Sequence, residues 1–185
     1  MSNRVCPWWI GYLLTSPLRG WMQDPKEILK PYVREGMTVL EPGPGMGFFT
    51  IPLARLVGSS GHVVVDLRPE MIAGLKRRAT KASVLDRIDA GVSPAESMMG
   101  VGDLTATVDF ALGFAMVHEF PDAGKFFGEA AAVSKPGAPL LLAEPRGHVN
   151  DEQFAAELKS AAATGFEGIS RPVIKPSHGA LLMKR

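Results

Sequence analysis

A single cysteine, Cys6, is all that this 185-residue chain contains, so no intramolecular disulfide framework is available to it. That usage fits a reducing compartment, and the expected location is the cytoplasm. Excess charge of one sign is also absent. The net charge is +1, which supplies no long-range field for nucleic acid, and no nucleic-acid partner is expected. The four histidines are scattered and form no paired metal motif, so no metal is expected. Arg4 precedes an apolar run, Val5–Leu14, but no small-residue cleavage site follows it, and the run is too short to span a bilayer. It reads as part of the folded protein. The chain also lacks internal repeats, low-complexity tracts and any linker long enough to divide it. What is present is 46% hydrophobic and 21% charged, the composition of a globular domain able to bury a sizeable core.

The most informative stretch is Val39-Leu40-Glu41-Pro42-Gly43-Pro44-Gly45-Met46-Gly47-Phe48-Phe49-Thr50. An apolar run ends in a carboxylate, three alternating glycines follow, and a helix-like segment begins. This is a strand, a tight loop and a helix, the place where an α/β sheet opens a ligand crevice. A dinucleotide loop starting at Gly43 would need its third glycine where Phe48 stands, and Pro44 removes a backbone N–H that a pyrophosphate would use. A Walker loop fails for want of Gly-Lys-Ser/Thr. A second acidic strand end comes at Val63-Val64-Val65-Asp66-Leu67. In a parallel sheet it lies on the same edge as Glu41, where Asp66 can accept hydrogen bonds from both hydroxyls of a ribose.

The remaining pattern alternates strands and helices. Asp24 caps a helix with Pro25 at its first position and Glu27 closing a capping box, running to about Glu35 and stopping at Gly36. Strands are expected at 38–41, 62–66, 88–92, 108–114, 139–144, 166–170 and 180–183. Helices are expected at 47–56, from Pro69, at 123–133 and from Asn150 to about Ala163. On the Pro69 helix, Lys76, Arg77 and Lys81 read as an exposed face. Seven strands with helices between the first six predict a doubly wound, Rossmann-like α/β sheet, mostly parallel. The connection 171–179 is too short for a crossover helix, so the last strand should be antiparallel.

Taken in order, these segments resemble the class I S-adenosylmethionine-dependent methyltransferases. The resemblance is strongest to the small single-domain group akin to the ubiquinone/menaquinone-biosynthesis enzymes. The acidic-x-Gly-x-Gly-x-Gly loop is similar to that family's first motif. Val108–Asp122 resembles its fourth-strand motif, and Ser134–Pro145 its fifth. The resemblance implies S-adenosyl-L-methionine as cofactor and particular roles for cofactor-binding residues. Gly43, Gly45 and Gly47 would cradle the methionyl part, with Glu41 near its ammonium. Asp66 would take the ribose diol and Leu67 cover the adenine. Backbone at Gly113 and Phe114 would approach the methionyl amine. Pro94 stands where the family often has an Asp, leaving the Ala95 backbone N–H to meet an adenine ring nitrogen.

Methyl transfer from a sulfonium needs chiefly alignment, and a base only where the acceptor must lose a proton. His118 and Glu119, just past the fourth strand, are the nearest candidates for it; His118 is taken as the catalytic residue, with His148 the second choice for a substrate-facing histidine. Little sequence is left to form a separate substrate domain. Residues 1–23, which carry Trp8, Trp9, Tyr12 and Trp21, are therefore expected to be a lid, and 24–185 the cofactor-binding methyltransferase domain. The expected activity is transfer to a small-molecule acceptor by a monomer or homodimer. The rivals are a catalytically inactive cofactor-binding sensor or partner subunit, and a nucleotide-dependent oxidoreductase.

Overall fold

The computed structural model describes residues 23–67, 69–92 and 104–185. Its elements in chain order are α1 Pro25–Leu29, β1 Thr38–Pro42, α2 Thr50–Leu56, β2 His62–Leu67, α3 Pro69–Lys81, β3 Ile88–Val92 and β4 Phe110–Phe114. Then come α4 Ala123–Val133, β5 Pro139–Pro145, α5 Asp151–Ala163, β6 Phe166–Ser170 and β7 Ser177–Lys184. The strands form one sheet in the order β3-β2-β1-β4-β5-β7-β6. β1 pairs in parallel with both β2 and β4, and β5 continues from β4 in parallel. β7 enters antiparallel between β5 and β6. The sheet is the doubly wound arrangement that the alternation of elements predicts.

Two apolar layers cover the two faces. Leu40, Ala111, Leu140 and Leu142 pack with Phe126, Phe127 and Phe154 of α4 and α5. Val39, Leu112, Leu141 and Ala143 pack with Leu29 of α1, Leu53 of α2 and Leu75 and Ala79 of α3. Neighbouring strand residues thus enter opposite layers, as the period of two requires, and near-continuous apolar runs become strands buried on both sides. Lys76, Arg77 and Lys81 lie exposed on α3, as an amphipathic helix demands.

Several boundaries depart from expectation, each for a local reason. α1 ends at Leu29 rather than near Glu35, because Pro31 cannot donate to a helical ladder. Asp24 does cap it, accepting from Lys26 N at 2.9 Å, but Glu27 bonds Lys30 Nζ at 2.8 Å. The reciprocal capping box lies instead between Asn150 and Gln153 at the start of α5. α2 begins at Thr50, three residues late, because the glycine loop consumes 45–49 as turns. β4 begins at Phe110, since Asp109 uses its side chain to accept Thr38 N at 2.9 Å. β7 is longer than expected and starts at Ser177, where it pairs with Pro145.

Candidate active site

The strand order reverses between β1 and β4, so their carboxyl ends open a crevice at the switch point. The loop after β1 forms one wall. Gly43, Gly45 and Gly47 all have positive φ, at 63°, 56° and 85°. A Cβ at Gly45 would meet nothing within 4 Å, so beside its left-handed backbone lies open space. Gly47 serves packing instead. A Cβ there would sit 2.5 Å from Leu75 Cδ1, so glycine lets α3 approach the loop. A Cβ at Gly43 would lie 3.4 Å from Met116 Cβ, which brings the loop after β4 against the glycine loop.

Glu41 is 4% exposed, and its Oε2 has no hydrogen-bond partner. Burial pushes its carboxyl up to about 8, with the neighbouring Thr50 hydroxyl opposing the shift. A buried carboxylate with a free oxygen at the root of a glycine loop is built for a cationic partner. Asp66 and Leu67 are placed by their backbone. Asp66 pairs in register with Pro42 of β1, so it closes β2 beside the same loop, and Leu67 pairs with Val92 of β3. A Cβ at Gly113 would point at Leu142, Val117 and Phe126 in the core, leaving backbone as what this residue offers a ligand. The Phe114 ring packs 4.3 Å from that of Phe49, centroid to centroid, and Phe49 packs edge-on to Phe48. Ala95, Pro94 and the N-terminal aromatics Trp8, Trp9, Tyr12 and Trp21 lie outside the described residues.

The other wall is the loop after β4. Ala115 takes φ 54°, a conformation that side chains disfavour, and its N–H donates to Ala143 O at 2.7 Å. This turn aims the next two N–H groups at β5: Met116 N and Val117 N donate to Glu144 Oε1 at 3.2 and 2.9 Å. Glu144 Oε2 bonds His118 Nδ1. His148 lies beside them, its ring centroid 5.4 Å from that of His118. Both histidines singled out by sequence therefore meet at one edge. Buried Glu157 of α5 joins them electrostatically. Its carboxyl is raised to about 7, first by burial and then by Glu144, with His118 opposing, and its Oε2 has no hydrogen-bond partner.

Glu144 and Glu157 escaped the sequence reading. Glu144 carried a usable signal, a third carboxylate ending an apolar strand after Glu41 and Asp66. Glu157 carried none, because a glutamate in Ala155-Ala156-Glu157-Leu158-Lys159 reads as helix surface. Another histidine, His178, is structural: Nε2 bonds Val149 O at 2.9 Å and the ring stacks on Phe154.

A glycine-lined crevice at a switch point, with a buried carboxyl whose Oε2 has no hydrogen-bond partner at its root, defines an α/β site for a small ligand. Comparison with known proteins makes the class specific. Residues 33–172 match the family described as methyltransferase domain, and the chain belongs to that family. Its architecture is that of the class I S-adenosylmethionine-dependent methyltransferases, and S-adenosyl-L-methionine is the cofactor the family implies. The chain is 31% identical over 118 residues to a ubiquinone biosynthesis O-methyltransferase of Paramagnetospirillum magneticum, covering 63% of this chain and 43% of that protein. It thus spans less than half of that relative's length. A SAM-dependent methyltransferase from Aquifex aeolicus superposes with a TM-score of 0.85 at 24% identity, covering 98% of this chain and 100% of that one. A [4+2]-cyclase superposes with a TM-score of 0.67 at 18% identity, covering 80% and 59%. The same fold thus supports different chemistry, and the reaction has to be argued from the site.

The residues present fit the cofactor. Its cationic groups suit the buried Glu41 carboxyl, whose Oε2 has no hydrogen-bond partner, and the open space beside Gly45 admits a ligand to the backbone. Among the described residues no helix is long and apolar enough to cross a membrane.

Proposed function

We propose that this protein transfers a methyl group from S-adenosylmethionine to a small-molecule acceptor. The single observation that carries the reading is the buried, partnerless Glu41 oxygen at the root of three left-handed glycines. When bound, the cofactor supplies an electrophilic methyl on a sulfonium. The chain's own residues hold and orient it. Glu41 faces the ammonium, and Gly43, Gly45 and Gly47 line the methionyl part. Asp66 accepts from the ribose hydroxyls, Leu67 covers the adenine and the Ala95 N–H meets a ring nitrogen. The backbone of Gly113 and Phe114 closes on the amine.

Catalysis then rests mostly on alignment, worth as much as ~7–11 kcal/mol of barrier. His118 stands on the loop against the glycine turn and serves as the base. Residues 1–23 act as a lid over the acceptor, and residues 24–185 form the cofactor-binding domain. The acceptor class has support from the 31%-identical relative, which is named an O-methyltransferase of ubiquinone biosynthesis. Calorimetry tests the cofactor assignment. S-adenosylmethionine and S-adenosylhomocysteine should bind and NAD should not; NAD binding without either would overturn it.

A further inference from the structure

β6 is the last strand of the sheet, with β7 on one side and no strand on the other among the described residues. Its pairing with β7 slips between Gly168 and Ser170, a β-bulge. Between α5 and this edge lies a groove of about 250 Å³. Leu158 and Ala162 line it from the helix, and Phe166, Ala180 and Leu182 from the strands. Gly168 also belongs to the lining, and a Cβ there would meet nothing within 4 Å. Its φ is not positive, so no left-handed turn demands this glycine; its missing side chain keeps the groove open. Ser170 and Arg171 complete the lining. The Arg171 guanidinium lies 5.6 Å from the centroid of the Phe154 ring and forms no ion pair among the described residues. The one carboxylate of β6, Glu167, is engaged by Arg185, whose Nε stands 3.4 Å away.

We propose that this groove is a second ligand site, for a small aliphatic carboxylate whose chain lies along Leu158, Phe166 and Leu182 and whose head meets Arg171. The ligand class follows from the lining. Apolar walls disfavour a sugar or other polyol, whose hydroxyls would lose water and find no replacement there. An aliphatic chain gains from the same walls by leaving water. One unpaired cation matches one negative charge, and a diphosphate would bring more than Arg171 can answer. The guanidinium is planar and already rests on an aromatic face, and its parallel N–H groups suit the two oxygens of a carboxylate. Size sets the chain length. At ~30 Å³ for a group the size of a water molecule, the groove accepts about eight non-hydrogen atoms. The site is separate from the crevice, because β5 and β7 stand between β6 and the switch point at β1 and β4. It does not depend on the methyl-transfer reading.

The test titrates the full chain by calorimetry with octanoate, octan-1-ol, octylammonium and acetate. Octanoate should bind once per chain. Octan-1-ol and octylammonium should bind at least about tenfold more weakly, for want of the charge-assisted hydrogen bonds, and acetate not measurably. Arg171→Gln should weaken octanoate at least about tenfold and leave octan-1-ol unchanged. Gly168→Leu fills the groove from the strand and Ala162→Phe fills it from the helix. Either, once circular dichroism shows it folded, should abolish octanoate binding. Methyl NMR of the wild type should show octanoate moving the signals of Leu158, Ala162 and Leu182. No octanoate binding to the folded wild type overturns the proposal. So does binding that is indifferent to Arg171→Gln and to a folded filling variant, or that moves signals at the glycine loop instead. Equal affinity for octanoate and octylammonium overturns the carboxylate class. Retention on vesicles of anionic phospholipid, with no binding of free octanoate, would make the occupant a membrane surface and overturn the small-ligand site.

Discussion

Glu41 shows how a buried residue can be costly to the ligand-free protein and, in the role proposed for it, useful to the loaded one. Its carboxyl is raised to about 8 by burial, so at neutral pH it holds a proton that the unfolded chain has released. A cationic ligand would reverse the preference and expel that proton. Cofactor binding at pH 7 should therefore release close to one proton, measured by calorimetry in buffers of different ionisation enthalpy. Glu41→Gln should abolish the release and weaken binding. It should also raise the stability of the ligand-free protein above pH 8, where the wild type must ionise a buried group. Asp66→Ala should cost on the order of 1.5–3 kcal/mol of cofactor affinity in a folded protein, through lost charge-assisted hydrogen bonds. Gly45→Val should be worse, because a β-branched residue is strained at φ 56° and would fill the crevice side of the loop.

At the scale of elements, the glycine loop and α3 are a fitted pair. Gly47 and Leu75 meet so closely that a Cβ cannot enter without displacing the leucine or the loop. Gly47→Ala should destabilise by roughly 1–3 kcal/mol in denaturant melts, from overpacking added to backbone strain. Adding Leu75→Ala should relieve only the overpacking. The helix termini show how far local pattern reaches. The Asp24-Pro25 start and the Asn150 start were both legible, because capping depends on residues within one turn. The length of α1 also had a visible determinant, Pro31, which stops the helix well short of Gly36. β4 was overextended because Val108 is apolar. What shortens it is Asp109, whose partners Thr38 and Lys135 are distant in sequence.

For the whole molecule, three groups move stability with pH in the same direction. Glu41 and Glu157, raised to about 8 and about 7, bind protons in the fold that the unfolded chain loses above about pH 4.5. His118 is raised too, so its contribution is full below its unfolded value of about 6.5 and is lost as pH climbs through the folded one. The native state thus holds the extra protons, and the melting temperature of the ligand-free protein should fall from about pH 5 to 8. Glu41→Gln should flatten that slope. A flat wild-type profile would count against the buried state of these carboxyls. The proposed division of the chain is tested by deleting residues through Thr15. Cofactor binding should survive while transfer to the acceptor collapses. A parallel loss of melting temperature and cofactor affinity would identify the segment as core instead.

The order of strands and helices, the glycine loop, the acidic ends of β1 and β2 and the antiparallel hairpin at the end were all determined by the sequence alone. Each depends on short-range rules: a period of two or 3.6, a glycine where φ must be positive, a connection too short to cross over. The sequence also marked His118 and His148 separately, since both follow strands that end at the same edge. Only the tertiary structure decided that they meet, that Glu144 holds the first of them by Nδ1, and that Glu157 on α5 lies within Coulomb range of His118 and Glu144. Those relations join β4, β5 and α5 across the sheet edge. No local rule states which side chains three separate elements will bring within hydrogen-bond or Coulomb range, because packing of the whole core sets those distances.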